Sequence, residues 1–194
     1  MIVRVTGSFA KQIGVTVTAT LPLCENPVAD WTCRVFSLRE GEPVLLVANT
    51  TTLYSMLIPA VGLERLEQFQ GGLNICLERR LLADGFEAII DRRLGPEIKT
   101  ISLAKSLNRS VTGSMNDMVR LATFMLTEEG RTFEQATVKL NETPFGALDY
   151  AHPRKRFAEL ASWGCTIDTD RGRNHHDPFI AKDRQLLQRR VFRR

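Results

Sequence analysis

Val44-Leu45-Leu46-Val47-Ala48 is an apolar run with no polar break. A strand with one wet face alternates apolar and polar residues, so an unbroken run needs cover on both faces. This stretch therefore demands an interior strand with layers packed above and below it. The residues before it supply its partner. Asp30 to Ala48 reads as a hairpin in which Trp31, Cys33, Val35 and Ser37 share one face, while Phe36 and Leu38 point to the other. The turn is Arg39-Glu40-Gly41-Glu42, where Gly41 supplies the positive φ.

The remaining elements follow from period and punctuation. Ile2 to Thr6 is expected as a first strand, Phe9 to Ile13 as a turn of helix, and Val15 to Ala19 as a half-buried strand of alternating Val and Thr. Leu53 to Ile58 continues the sheet after Asn49-Thr50-Thr51-Thr52. Leu63 to Asp84 carries a helical stripe of Leu63, Leu66, Phe69 or Gln70, Leu73, Leu77 and Leu81, which Gly71-Gly72 is expected to kink or split. Phe86 to Leu94 and Ile98 to Lys105 read as short strands. The sum is an α+β fold: an antiparallel or mixed sheet of about five or six strands, packed against three main helices at 63–84, 114–130 and 132–141. A compact domain over 1–150 is followed by a basic C-terminal extension over 151–194, with a short helix from Phe157 to Trp163.

Lys105 to Gly130 holds the most distinctive polar string. Met115, Met118, Val119, Ala122, Met125 and Leu126 recur at helical spacing. Ser114 reads as the N-cap, with Asp117 favouring the positive end of the helix dipole. Before it, Asn108 to Gly113 reads as a polar turn. Such a turn at a helix start can hold an anion, with Arg109 adding charge, but a plain capped helix explains the same residues. No Gly-Lys-Ser/Thr ending is present, so it is not a P-loop. Asn49, Thr52, Tyr54 and Ser55, together with Asn108, Arg109, Ser114 and Asn116, are the candidate pocket residues. The bland alternative for the Asn-Thr group is a strand-end turn bonded to its own backbone.

Charge is unevenly spread. Residues 1–150 carry 15 Lys/Arg against 17 Asp/Glu, whereas residues 151–194 carry 11 against 5, a balance of +6. Cys24, Cys33, Cys76 and Cys165 form no C-x-x-C pair, which argues against a zinc ribbon. No apolar run approaches the roughly 18 residues a membrane helix needs, and the first residues lack the apolar core of a signal peptide. A cytoplasmic location is expected; the oligomeric state is left open.

Several strings together resemble an uncharacterised family of bacterial domains of unknown function. They are Met1-Ile2-Val3-Arg4, Trp31, Leu45-Leu46-Val47-Ala48-Asn49, Thr52-Leu53-Tyr54-Ser55, Asn108-Arg109-Ser110-Val111-x-Gly113-Ser114-Met115-Asn116-Asp117 and Asn141-x-Thr143-Pro144. The resemblance covers about residues 1–150 and implies no known activity.

Three function classes remain. The first is a non-enzymatic binding protein whose extension engages nucleic acid or a nucleoprotein. Arg154, Lys155, Arg156, Arg171, Arg173, Arg189, Arg190, Arg193 and Arg194 would meet phosphates, because a guanidinium forks onto two oxygens. Phe157, Trp163 and Phe192 would stack on bases. The second is an inhibitor or adaptor in which the same charges meet an acidic protein surface. The third is a metal-dependent hydrolase or nuclease. His175-His176-Asp177 offers ligand types, but adjacent histidines do not share a face, so no metal or cofactor is assigned. No nucleophile–base signature such as G-x-S-x-G is present, and a non-enzyme is expected.

Overall fold

The computed structural model describes residues 1–38, 41–98, 100–106 and 109–162. Five strands make one mixed sheet: β1 (Ile2–Val5), β2 (Asp30–Ser37), β3 (Pro43–Asn49), β4 (Ser55–Pro59) and β5 (Ser102–Lys105), in the order β4-β3-β2-β1-β5. β2, β3 and β4 pair antiparallel, while β1 runs parallel to both β2 and β5. The apolar run lies in β3, between two partners, and Val44 to Ala48 is wholly buried, as its composition requires.

Helices cover both faces. On one lie α1 (Gly7–Gln12), α2 (Leu66–Ala83) and α7 (Pro153–Ser162), closing over Val3, Trp31, Cys33, Leu45 and Val47. On the other lie α5 (Arg109–Thr127) and α6 (Phe133–Glu142), closing over Val44, Leu46, Ala48 and Leu57. Trp31, Cys33 and Val35 face the first layer and Phe36 and Leu38 the second, as the hairpin pattern requires. Gly41 has φ 81°. α6 opens with a full capping box between Thr132 and Gln135.

Four local expectations are corrected. Val15 to Ala19 is not a sheet strand: Val15 and Val17 lean on the core, and the Ala19 carbonyl accepts from Lys105 N at 2.9 Å. Phe86 to Leu94 is helical, as α3 (Glu87–Ile89) and a π-turn (Ile90–Leu94) leading into α4 (Gly95–Ile98). Gly95 fits there because its N–H donates to Ile90 O, and an added Cβ would come within 2.9 Å of that oxygen. α2 passes through Gly71-Gly72 unbroken, since Phe69, Leu73, Leu77 and Leu81 continue one buried stripe across the pair. α5 begins at Arg109, so Ser114 lies inside the helix and is not its N-cap. Val111 extends the stripe of Met115, Met118, Ala122 and Met125 by one turn, and burying it (about 1.5–3 kcal/mol) outweighs the roughly 1 kcal/mol cost of Gly113 in a helix.

Packing continues past residue 150. Phe157 is 0% exposed, stacks on Tyr54 at 4.4 Å and meets Trp31 and Phe86 edge-on or tilted. It is a core aromatic and is not available to stack on a base.

Candidate functional site

Two arginine–carboxylate clusters mark the polar interior. The first is sealed. Arg4 of β1 and Asp30 of β2 are both 0% exposed and form a two-pronged pair, Nε to Oδ1 at 2.8 Å and Nη2 to Oδ2 at 2.7 Å. The remaining guanidinium donors reach the carbonyls of Leu21 (3.0 Å) and Pro22 (2.7 Å), and Cys24 N donates to Asp30 Oδ2 at 2.9 Å. The loop carrying these groups thus acts as a lid that satisfies both ions, the condition under which a buried pair persists.

The second cluster lies beside a groove. Arg80 of α2 donates to both oxygens of Asp84, which also accepts from the Tyr54 hydroxyl. Arg80 reaches the exposed Glu134 of α6 as well. Arg154 of α7 donates to the Asp84 carbonyl at 3.1 Å and stands 3.8 Å from its carboxylate. Burial pushes the Tyr54 phenol well up, and the bond to Asp84 adds to the rise. Burial opposes the Arg80 charge, but Asp84 overrides it and the pKa rises above the ordinary value.

An open groove of about 530 Å³ runs next to this cluster, lined by Phe86, Asn141, Glu142, His152, Arg154, Lys155 and Ala158. Its walls come from the end of α6 and the first turns of α7. His152 Nδ1 lies 2.5 Å from the Glu142 carbonyl, which can only accept, so this nitrogen carries a proton. Lys155 is exposed and has no ion-pair partner among the described residues; Arg156 pairs with Glu159 at 3.2 Å.

Asn141 carries a different task. β4 is one of the two outer strands of the sheet, and α6 reaches its edge. Asn141 Oδ1 accepts from Ser55 N at 2.8 Å, and its Nδ2 donates to Ser55 O at 2.8 Å. Thr137 Oγ1 accepts from Leu57 N at 3.0 Å. The two side chains pair the edge as a neighbouring strand would, which closes it to other chains.

The sequence-derived pocket residues fall into separate places. Asn49 is buried. It donates to the carbonyls of Pro27 and Asp30 and accepts from Thr51 N, Thr52 N and Thr52 Oγ1. Thr52 in turn accepts from Tyr54 N, within a turn where Leu53 has φ 58°. These bonds are spent within the protein, as a strand-end turn requires. Tyr54 backs the groove through Asp84, and Ser55 is held by Asn141. Asn116 of α5 accepts from Arg34 of β2 on the opposite face of the sheet from Tyr54. Ser114 is half-buried within α5, and Ser106 and Thr112 hydroxyls lie 3.3 Å apart at its start. Asn108, Arg171, Arg173, Arg189, Arg190, Arg193 and Arg194 lie outside the described residues, as do Trp163, Cys165, His175, His176, Asp177 and Phe192. Among the described residues no group of three or more His, Cys, Asp or Glu could hold a metal ion, and no helix is long and apolar enough to cross a membrane.

Sequence reasoning missed Asp84 and Arg80, and Asn141 entered it only through the resemblance. Arg80 stands on the buried stripe of α2 one residue before Leu81, and a charge in that position is the signal for a buried partner. No curated protein matches the chain. A family described as "Domain of unknown function (DUF6933)" matches residues 2–156, spanning β1 to the first turn of α7, and the chain belongs to that family.

Proposed function

We propose that this protein is a non-enzymatic binder of nucleic acid, with the basic C-terminal stretch meeting phosphates. The observation that carries the reading is charge placement. The first 150 residues are nearly balanced, whereas residues 151–194 hold a balance of +6 that begins with Arg154 and Lys155 at the groove. Arginine dominates that excess, and its planar fork suits phosphate oxygens better than the point charge of lysine. A cationic stretch entering from a rigid helix, anchored by Phe157 in the core, would fix where the first phosphates meet the body.

The test is binding of the full chain to nucleic acid across a salt series, beside a variant with Arg189, Arg190, Arg193 and Arg194 replaced by Ala. The variant is expected to bind more weakly, and the slope of log K against log salt should shrink by about 0.7–0.9 for each phosphate it no longer neutralises. Unchanged affinity and slope would remove the C-terminal arginines from the interface. Substitution is preferred to truncation at Tyr150, because truncation would strip Phe157 from the core.

A further inference from the structure

From its lining we infer that the groove beside α7 is a site for single-stranded nucleic acid, with a base seated against Phe86 and Ala158 and the adjoining phosphates on Arg154 and Lys155. This rests on the nucleic-acid reading above and adds the location and the strandedness.

The groove, about 530 Å³, falls in the size range of small-ligand sites. Phe86 is fixed from behind, edge-on to Tyr54 at 5.7 Å and to Phe157 at 5.3 Å, so the ring is a rigid surface. Ala158 on the facing helix leaves room that a larger side chain would fill. Arg154 is held in place by Asp84 yet remains about half exposed, and Lys155 is exposed beside it. Glu142 on the other wall repels phosphate, so a backbone would follow the α7 side.

A second aromatic stands close along the chain. Tyr150, two residues before His152, is 78% exposed. It and Asp149 both adopt left-handed backbone, with φ 60° and 54°. For residues other than glycine this conformation is disfavoured. The turn is held by Tyr150 N to Phe145 O at 3.0 Å and Ala151 N to Leu148 O at 3.1 Å. The turn leaves the ring in solvent, where packing gains nothing from it. A ring displayed in this way offers a stacking platform for a second base. Duplex bases are already stacked and paired, so a duplex could use only the charges.

The test measures fluorescence anisotropy of the full chain with three labelled probes: a single strand of mixed sequence, the same sequence as duplex, and an abasic single strand with the same phosphates. The single strand should bind tighter than either of the others by about 5- to 150-fold, the worth of one stacked base. Tyr150→Ala and Ala158→Gln, both on the exposed surface, should erode that preference without changing the salt slope. Arg154→Ala with Lys155→Ala should lower the slope for all three probes. Equal binding of all three probes, or a preference untouched by Tyr150→Ala and Ala158→Gln, would overturn the groove site while leaving phosphate binding intact. A poly-glutamate peptide that displaced the strand and bound the groove as tightly would also overturn it, pointing to an acidic protein partner. If none of the three probes bound, both readings would end.

Discussion

Arg4 and Arg80 are both buried arginines paired with an aspartate, and they differ in what lies beyond the pair. Arg4–Asp30 is closed on every side, its spare donors taken by the Leu21 and Pro22 carbonyls. Arg80–Asp84 opens outward: its carboxylate also serves Tyr54 and Arg154, and its guanidinium extends to the exposed Glu134. A sealed pair has no free valence with which to meet a ligand, so its role ends at holding β1, β2 and the 21–24 loop together. An open network can transmit placement to the surface. In this protein it fixes Arg154, and through Tyr54 and Phe157 it ties α7 to the sheet.

Breaking the sealed pair should have the largest effect. Asp30→Ala leaves the Arg4 charge buried without its partner, and a loss of about 3–5 kcal/mol is expected in urea unfolding. Arg80→Ala should cost less, on the order of 1–3 kcal/mol, because Asp84 keeps Tyr54 and Arg154. A cost for Arg80→Ala equal to that for Asp30→Ala would erase the distinction. Asn141→Ala orphans the Ser55 N–H and C=O, and a loss of about 1–3 kcal/mol is expected. It should also promote self-association through the uncovered β4 edge, which light scattering would detect.

The open network also predicts a pH response. The Tyr54 phenol is raised above its ordinary value of 10 in the fold, so folding favours the protonated form. That contribution is fully present below pH 10 and is lost as pH rises from there toward the raised folded value. Burial raises the Cys33 thiol too, which adds a loss beginning above 9. Tyr54→Phe should therefore flatten, but not abolish, the alkaline fall in thermal stability. An unaltered alkaline profile would show that Tyr54 does not titrate against the fold.

The hairpin, the β3 run and the burial of both sheet faces were legible because period two and an unbroken apolar stretch are local signals. The start of α5 was not. Gly113 reads as punctuation, while the burial of Val111 that overrides it depends on a sheet distant in sequence. Phe157 looked exposed because Arg154, Lys155 and Arg156 precede it, although Leu160 three residues on completes a helical apolar face. The groove was illegible because Phe86, Asn141 and Lys155 meet only in the folded chain, and Asn141 bonds Ser55 across 86 residues. The smallest expected effect bears on the same point. With open space around its Cβ position and a place inside α5, Gly113→Ala should stabilise by about 0.5–1 kcal/mol. A loss would favour the polar turn that the sequence alone suggested.

The central claim is that the basic end of this protein meets phosphates, and the salt dependence of binding tests it most directly. The full chain, titrated with a single-stranded oligonucleotide, should show log K falling linearly with log salt, at about 0.7 per phosphate neutralised. A slope of several such units is the expected result. Binding that is absent at low salt, or present with no salt dependence, would contradict the account.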